Sequence, residues 1–576
     1  MSEPLVTRDR MKSVMAHHQN EAIAKAQRLA VCEEALAKGQ MTQEQVEEEM
    51  RKGVATSVSD MANLTTIDVS PVAVLVPWSM DNPMEMVFSK LAPTEDATLV
   101  AHQWRKVTRY FPDGFSGFVP ETGRGVTASA TTEGQTVYNK MMAVEADTTV
   151  MASHQSAYIE ALGTKDPIEF NRRNAQIALM YKADQESYRS RTDTNRLGTS
   201  GDNFKGLEQQ IEEGTNGTVG SASDFSTDLG GNGHIIDMKG RPLTFDNIRS
   251  AGIVPVILHG GANVLLMAPD VMAGLSASMD GAIRLGSELQ AMTWGNTNKA
   301  VTVGFTGPGN NLLFVPTNTL QPKHYQPKYS TSRPTGAPSS VPTVLSFSVT
   351  SDNTAFAGVT DTVTSRWDSN PEGVGAVYYV ITYEQDGIES LGTRYPTGSS
   401  TQAVTASQQV NFQIQTPPGA QRIKVYRSRT DQSSTATTET WHIFDVATDA
   451  SGTTVFFDNN IHRPNTSRAF GLTMEGPVMD AMFEAGSAKA ALASLKRSYA
   501  AGNTLGTSSA GGQNNGVRNV HLGPKMGQLD MGRLSYSAAY PTAYYSIRTP
   551  LVPDPLKCFV FKNVRAAVTP SGAPYA

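Results

Sequence analysis

The side chains best suited to chemistry are few and scattered. Cys32 and Cys558 are the only cysteines. Two thiols cannot build a disulfide framework or a four-cysteine zinc site, and reduced thiols are a better reading than one long-range bridge. Of the ten histidines, the only adjacent pair is His17-His18, in a polar stretch that reads as solvated. Asp458-Asn459-Asn460 resembles a calcium loop only in outline, because the spaced acidic and bidentate ligands are missing. Residues 304–309 hold Gly304, Gly307 and Gly309 but neither the lysine nor the following helix of a phosphate-binding loop. No H-E-x-x-H, paired C-x-x-C or G-x-S-x-G occurs. With 54 acidic residues some carboxylate pair is always imaginable, so none indicates a glycosidase. This pattern predicts no catalytic residue, no metal ligand, no cofactor and no enzyme.

The side chains that stand out are suited to contact instead. Phe111, Phe115 and Phe118 sit among glycines and prolines that cannot bury them locally, with Arg124 just beyond. Phe170, Ile177, Tyr181 and Tyr188 recur along one face of a strong helical signal that also carries Arg172, Arg173, Lys182, Arg189 and Arg191. For those charges a solvated face is the plain reading, and contact with a neighbouring subunit or nucleic acid the sharper one.

The elements that must position these residues follow from the chain as a whole. Its 576 residues suggest about three to five folding units. Hydrophobic residues make up 39% and charged residues 18%, the remainder shifting toward turn and strand formers. A net charge of 48 − 54 = −6 argues against a dedicated nucleic-acid binder. The segment 1–20 lacks the apolar core of a signal peptide, and the apolar runs 69–76 and 253–258 fall short of a membrane span. A soluble protein made in a reducing compartment is expected, with no membrane partner.

Residues 1–53 read as two helices. Ala22, Ala26, Leu29, Ala30 and Leu36 mark the first, and Thr42 with Gln45 forms the capping box of the second. Strand-like flanks around the Gly/Pro-rich stretch 111–125 predict an extended hairpin over about 99–155, with little core of its own. Asp166, Pro167 and Glu169 open a long helix running to about Arg191. A short helix over 244–250 ending near Gly252, a buried strand over 263–267, a helix from Pro269 through Met279, and strands over 300–305 and 311–316 follow. Beyond a boundary at 326–341 the period becomes two: Val410, Phe412 and Ile414 alternate with polar residues, and Asp386-Gly387 marks a turn. These strands predict a β-sandwich. After residue 464 come a helix over 487–500 and a closing strand over 557–562, so the sandwich reads as an insertion into one α/β body.

This order of elements resembles the major capsid protein of tailed bacteriophages, the HK97-type fold, over roughly 69–328 and 471–576. The resemblance implies an α+β chain with four parts: a helical N-terminal arm or scaffolding-like segment (1–60), a first body segment (61–330), an inserted sandwich (338–464) and a second body segment (465–576). The body would hold the E-loop, the spine helix (166–191), and the peripheral and axial domains. The insert resembles immunoglobulin-like or fibronectin type III-like modules through Tyr378-Tyr379-Val380-Ile381-Thr382-Tyr383 and Pro417-Pro418-Gly419-Ala420. It follows from the resemblance that the chain would assemble with itself as hexamers and pentamers of an icosahedral shell. That shell would enclose double-stranded DNA without sequence-specific binding and meet portal, scaffold or decoration proteins. Its place would be the virion capsid, assembled in the host bacterial cytoplasm. Phe111, Phe115, Phe118, Arg124, Tyr181 and Tyr188 would be inter-subunit contacts. Lys140 would be the sole loop donor if the family's lysine–asparagine crosslink formed. A phage tail or surface adhesin protein is the alternative, and a cryptic enzyme a distant third.

Overall fold

The computed structural model describes residues 86–109, 131–149, 167–192, 203–216, 234–258, 262–279, 301–304, 311–333, 336–360, 364–368, 373–398, 400–430, 436–449, 451–474, 516–530 and 539–566. Every described residue belongs to one compact unit within 74–158 and 166–576. The N-terminal helices with Cys32 and His17-His18, the 69–76 run, the hairpin tip, the Asp166 cap and the 487–500 helix lie outside the described residues.

The first elements are a short helix α1 (Val87–Leu91) and strands β1 (Thr94–Ala97), β2 (Ala101–Arg109), β3 (Thr131–Tyr138) and β4 (Lys140–Thr149). β2 and β3 pair antiparallel from Ala101↔Tyr138 out to Arg109↔Thr131, which is the expected hairpin. The excursion is shorter than expected, however. β4 leaves the hairpin and pairs along its whole length with a C-terminal strand, because Met142, Val144 and Ala146 alternate to give it one apolar face.

That face lies under the long helix α2 (Pro167–Arg189), whose 23 residues span about 35 Å. Ala175 and Leu179 of the helix meet Ala146 and Tyr544. Helices α3 (Leu207–Asn216), α4 (Phe245–Leu258) and α5 (Pro269–Met279) follow, with β5 (Ile235–Asp237) and β6 (Val264–Met267) between them. α5 has the expected limits. α4 runs on past Gly252 and over Pro255 because Ile248 and Ala251 are seated in the core, which offsets the roughly 1 kcal/mol penalty of a helical glycine. β7 (Val301–Gly304), β8 (Asn311–Pro316) and a one-turn helix α6 (Pro322–Tyr325) complete this segment.

Strands then dominate. β9 (Thr343–Ser351), β10 (Gly375–Val377), β11 (Tyr379–Gln385), β12 (Ile388–Glu389), β13 (Thr393–Tyr395), β14 (Gln402–Val404), β15 (Gln408–Gln415), β16 (Arg422–Arg427), β17 (Trp441–Ala447) and β18 (Thr453–Asp458) follow in order. One sheet runs β12-β11-β16-β17 with β13 also on β11, a second runs β18-β15-β9, and β10 pairs with β14. Tyr379, Ile381, Ile423 and Val425 of the first sheet share one core with Val410, Phe412, Ile414 and Phe456 of the second. The turn between β11 and β12 uses Asp386 and Gly387 at φ 52° and 77°, the positive values that a two-residue hairpin turn requires.

The chain then returns as β19 (Ser467–Leu472), β20 (Arg518–Leu522), β21 (Gly527–Asp530), β22 (Ala539–Leu551) and β23 (Phe559–Val564). Two body sheets result. One has the order β1-β20-β22-β21, with β4 on β22; the other has the order β5-β23-β19-β6-β8-β7. In the second, strands from before the sandwich (β6, β8) lie beside strands from after it (β19, β23), so neither flank completes the sheet alone. β6, β19 and β23 are buried at every position, as strands covered on both faces must be.

Phe412 is fully buried and stacks on Phe456 at 4.9 Å with 14° between the rings, with Phe347 and Tyr379 against its other sides. Phe412→Ala should therefore cost about 3–5 kcal/mol. Denaturant unfolding followed by tryptophan fluorescence, to which Trp367 and Trp441 of the sandwich contribute, checks this, with the transition shifting to lower denaturant.

Candidate functional site

The hairpin joins the body through a small apolar contact. Val137 and Trp104 pack on Val520 and Leu551, and the Trp104 indole Nε1 donates to the Pro553 carbonyl at 3.3 Å. Around this joint four apolar side chains face water: Leu99 is 70% exposed, Val100 54%, Tyr138 57% and Met141 64%. The Asn139 amide, donating to the Val100 carbonyl at 2.8 Å, holds the two approaches together. Such a surface offers apolar area for burial.

Of the residues expected at subunit contacts, Phe111, Phe115, Phe118 and Arg124 lie outside the described residues, between β2 and β3. Tyr181 and Tyr188 are corrected to core residues. Tyr188 is fully buried between Phe88, at 5.7 Å, and Phe470, at 5.4 Å, and burial pushes its hydroxyl pKa well up. Tyr181 is 5% exposed and meets His324 edge-on at 5.7 Å. Both rings point into this chain's own body and leave no ring area for a neighbour. Lys140 opens β4 opposite Arg548, at the base of the hairpin, with a half-buried side chain.

The basic residues of α2 are partly internal as well. Arg189 pairs with Glu186 at 2.7 Å and donates to the Tyr325 carbonyl at 3.1 Å, while Arg173 faces water. Arg191, just past the helix, pairs with Glu212 at 2.9 Å. That pair belongs to a buried ion cluster that sequence reasoning missed. Lys562 Nζ lies 2.9 Å from Glu208 and 3.1 Å from Glu212; Arg468 Nε lies 3.2 Å from Glu208, and the Tyr325 hydroxyl donates to Glu208 at 2.7 Å. Burial alone would raise the Glu208 pKa, but Lys562 and Arg468 outweigh it and hold the carboxyl well below its ordinary range. His462 Nδ1 accepts from Arg468 at 2.9 Å; burial and that guanidinium keep its pKa well below 6.5. The available signal was two glutamates four apart on α3 together with single cations inside apolar strands.

Asp458-Asn459-Asn460 holds a side-chain cation in place of a metal. Asp458 and Asn460 both accept from the Arg427 guanidinium, which lies 4.6 Å from the centre of the Trp367 ring. The Tyr379 hydroxyl also donates to Asp458, at 2.8 Å. Burial pushes the Cys558 thiol up to about 12, so it stays protonated and weakly nucleophilic. Among the described residues no group of three His, Cys, Asp or Glu side chains could hold a metal ion, and no helix is long and apolar enough to cross a membrane.

No protein-family model and no curated protein matches the chain. Among solved structures, the holo-SrpI encapsulin complex from Synechococcus elongatus is 8% identical with a TM-score of 0.37, over 90% of this chain and 98% of the encapsulin. A structure from Mycobacterium phage Ogopogo is 8% identical with a TM-score of 0.34, over 87% and 97%. The capsid of Myoviridae phage XM1 is 9% identical with a TM-score of 0.33, over 87% and 97%.

Two tests follow from the buried charges. Glu208→Gln leaves Lys562 and Arg468 under-compensated and should destabilise the chain by about 3–5 kcal/mol, read from urea unfolding. The second concerns His521, whose pKa is lowered to about 4 by burial and by Arg548 and Lys525. A depressed pKa contributes stability that is complete above the unfolded value near 6.5 and lost as pH falls from there toward 4. Unfolding midpoints measured down this range should fall less steeply in His521→Gln than in the parent.

Proposed function

We propose that this chain is a structural subunit that assembles with copies of itself into a closed shell, with no catalytic turnover. The hairpin carries this reading. β2 and β3 form a two-stranded pair, and among the described residues its apolar contact with the body is at the base, through Trp104 and Val137. An isolated two-stranded hairpin is marginally stable in water, so its ordering cost is best offset by burial against another subunit. The exposed Leu99, Val100, Tyr138 and Met141 provide matching apolar area at the base.

The finer reading follows the resemblance in element order. The shell would be an icosahedral capsid of a tailed bacteriophage, built from hexamers and pentamers around double-stranded DNA and assembled in the bacterial cytoplasm with portal and scaffold or decoration partners. The sandwich would be an immunoglobulin-like module on the outer face, where packed genome does not compete for space. Phe111, Phe115, Phe118 and Arg124 remain the contacts proposed for the tip of the hairpin, and Lys140 the donor should a crosslink form.

Electron microscopy of the purified full-length chain tests this directly. Shells, sheets, rings or capsomers are expected; a monomer persisting at high concentration would overturn the proposal, and rods or trimers would favour a tail protein. Deleting residues 111–125 should leave a folded chain that assembles poorly, as judged by sedimentation beside circular dichroism.

A further inference from the structure

We propose that β9 is a self-association edge, at which the sandwiches of two copies of this chain pair antiparallel about Ser348. Such a contact would join the sandwiches whether or not the body closes into a shell. The other outer strands of the sandwich are short or covered. β17 is flanked by the incoming segment: the Tyr329 amide donates to the Thr440 carbonyl at 2.9 Å, and the His442 amide to the Pro327 carbonyl at 3.0 Å. β18 is buried at four of its six positions, and the Trp367 indole Nε1 donates to the Asp458 carbonyl at its end, at 3.3 Å. β12 and β13 have only two and three residues.

β9 has neither protection. Its nine residues pair with β15 on one side, and among the described strands none pairs with its other side. No position of β9 is fully buried. Val344, Phe347 and Val349 pack on the sandwich core yet stay partly exposed. A strand laid along this edge would therefore cover apolar area as well as bond the backbone groups on that side. Edge strands are ordinarily kept apart by charges or proline, and 343–351 contains neither. A bulge sets Leu345 out of the ladder and leaves 346–351 in regular register.

That regular run is complementary to its own reverse, which points to a second copy as the occupant. Ser346, Ser348 and Thr350 lie opposite Gln413, Asn411 and Gln409 of β15, on the face away from the core, while Phe347 and Val349 lie on the core face. A two-fold axis through Ser348 sets Ser348 against its copy, Ser346 against Thr350 and Phe347 against Val349. Hydroxyls then meet hydroxyls, core residues meet core residues, and no like charges are opposed. A slip of one residue would set Phe347 against Thr350, from the opposite face, so the register is specified. The three-stranded sheet β18-β15-β9 would continue into its copy as a sheet of six.

The test uses the full-length chain with Cys32→Ser, the buried Cys558 left in place, and a short bis-maleimide crosslinker. Ser348→Cys should give covalent dimer several-fold faster than Thr438→Cys, an exposed position beside β17. Ser346→Cys and Thr350→Cys should crosslink to each other when co-expressed and neither to itself, because each lies about 13 Å from its own copy in this register. Adding Ser348→Lys to that pair, which opposes two ammonium groups, should cut the crosslink several-fold with the circular dichroism unchanged. Equal rates at Ser348→Cys and Thr438→Cys, or no preference for the mixed pair, would overturn the proposal. Shells seen by electron microscopy without the crosslink would remove this contact and leave the shell reading standing.

Discussion

Lys562 has no route to water. It lies in β23, a strand buried at all six positions, and its ammonium must be neutralised where it stands. Glu208 and Glu212 do this from α3, and their four-residue spacing puts both carboxylates on one side of that helix. The same pair draws in Arg468 from β19, Arg191 from the end of α2 and the Tyr325 hydroxyl from α6. Elements from both sides of the sandwich are thereby held in one register by one cluster. A buried ion network of this kind adds little net stability over an apolar core, but breaking it is costly, which favours a single arrangement of the strands around it.

That arrangement also makes the long excursion of the chain workable. Because β19 returns beside β6, and β6 pairs with β8, the ends of the sandwich emerge close together from one sheet. The sandwich can then keep a core of its own, with Phe412 at its centre, without contributing to the body's core. The two projections from the body differ in what orders them. The sandwich closes two sheets over its own apolar faces, whereas the hairpin pairs two strands and meets the body at its root through Trp104 and Val137.

The charges sort in a corresponding way. Inside the body Lys562 and Arg468 are buried against Glu208, as Arg427 is against Asp458 and Asn460 within the sandwich. Enclosure sets the effective dielectric and with it the strength of each of these ion pairs.

The local periodicities were legible in the residues alone. The capping signal of α5 at Pro269, the hairpin turn at Asp386-Gly387, the alternation at Val410, Phe412 and Ile414 and the strand pair enclosing the Gly/Pro-rich tip all follow from backbone preferences and period, which act over a few residues. The aromatic stripe on α2 was legible too, but not its direction. Whether Tyr181 and Tyr188 face a neighbour or their own core depends on where α1 and β19 lie, and only long-range packing decides that. β4 looked like part of the excursion because its pairing partner lies almost four hundred residues later in the chain. The ion cluster was hidden for the same reason: Glu208, Arg468 and Lys562 are unremarkable singly, and become a site only when the sheet brings three distant segments together. Sequence by itself determined the elements and the sandwich's own alternation; tertiary structure decided which faces are inside, because burial is a property of neighbours rather than of residues.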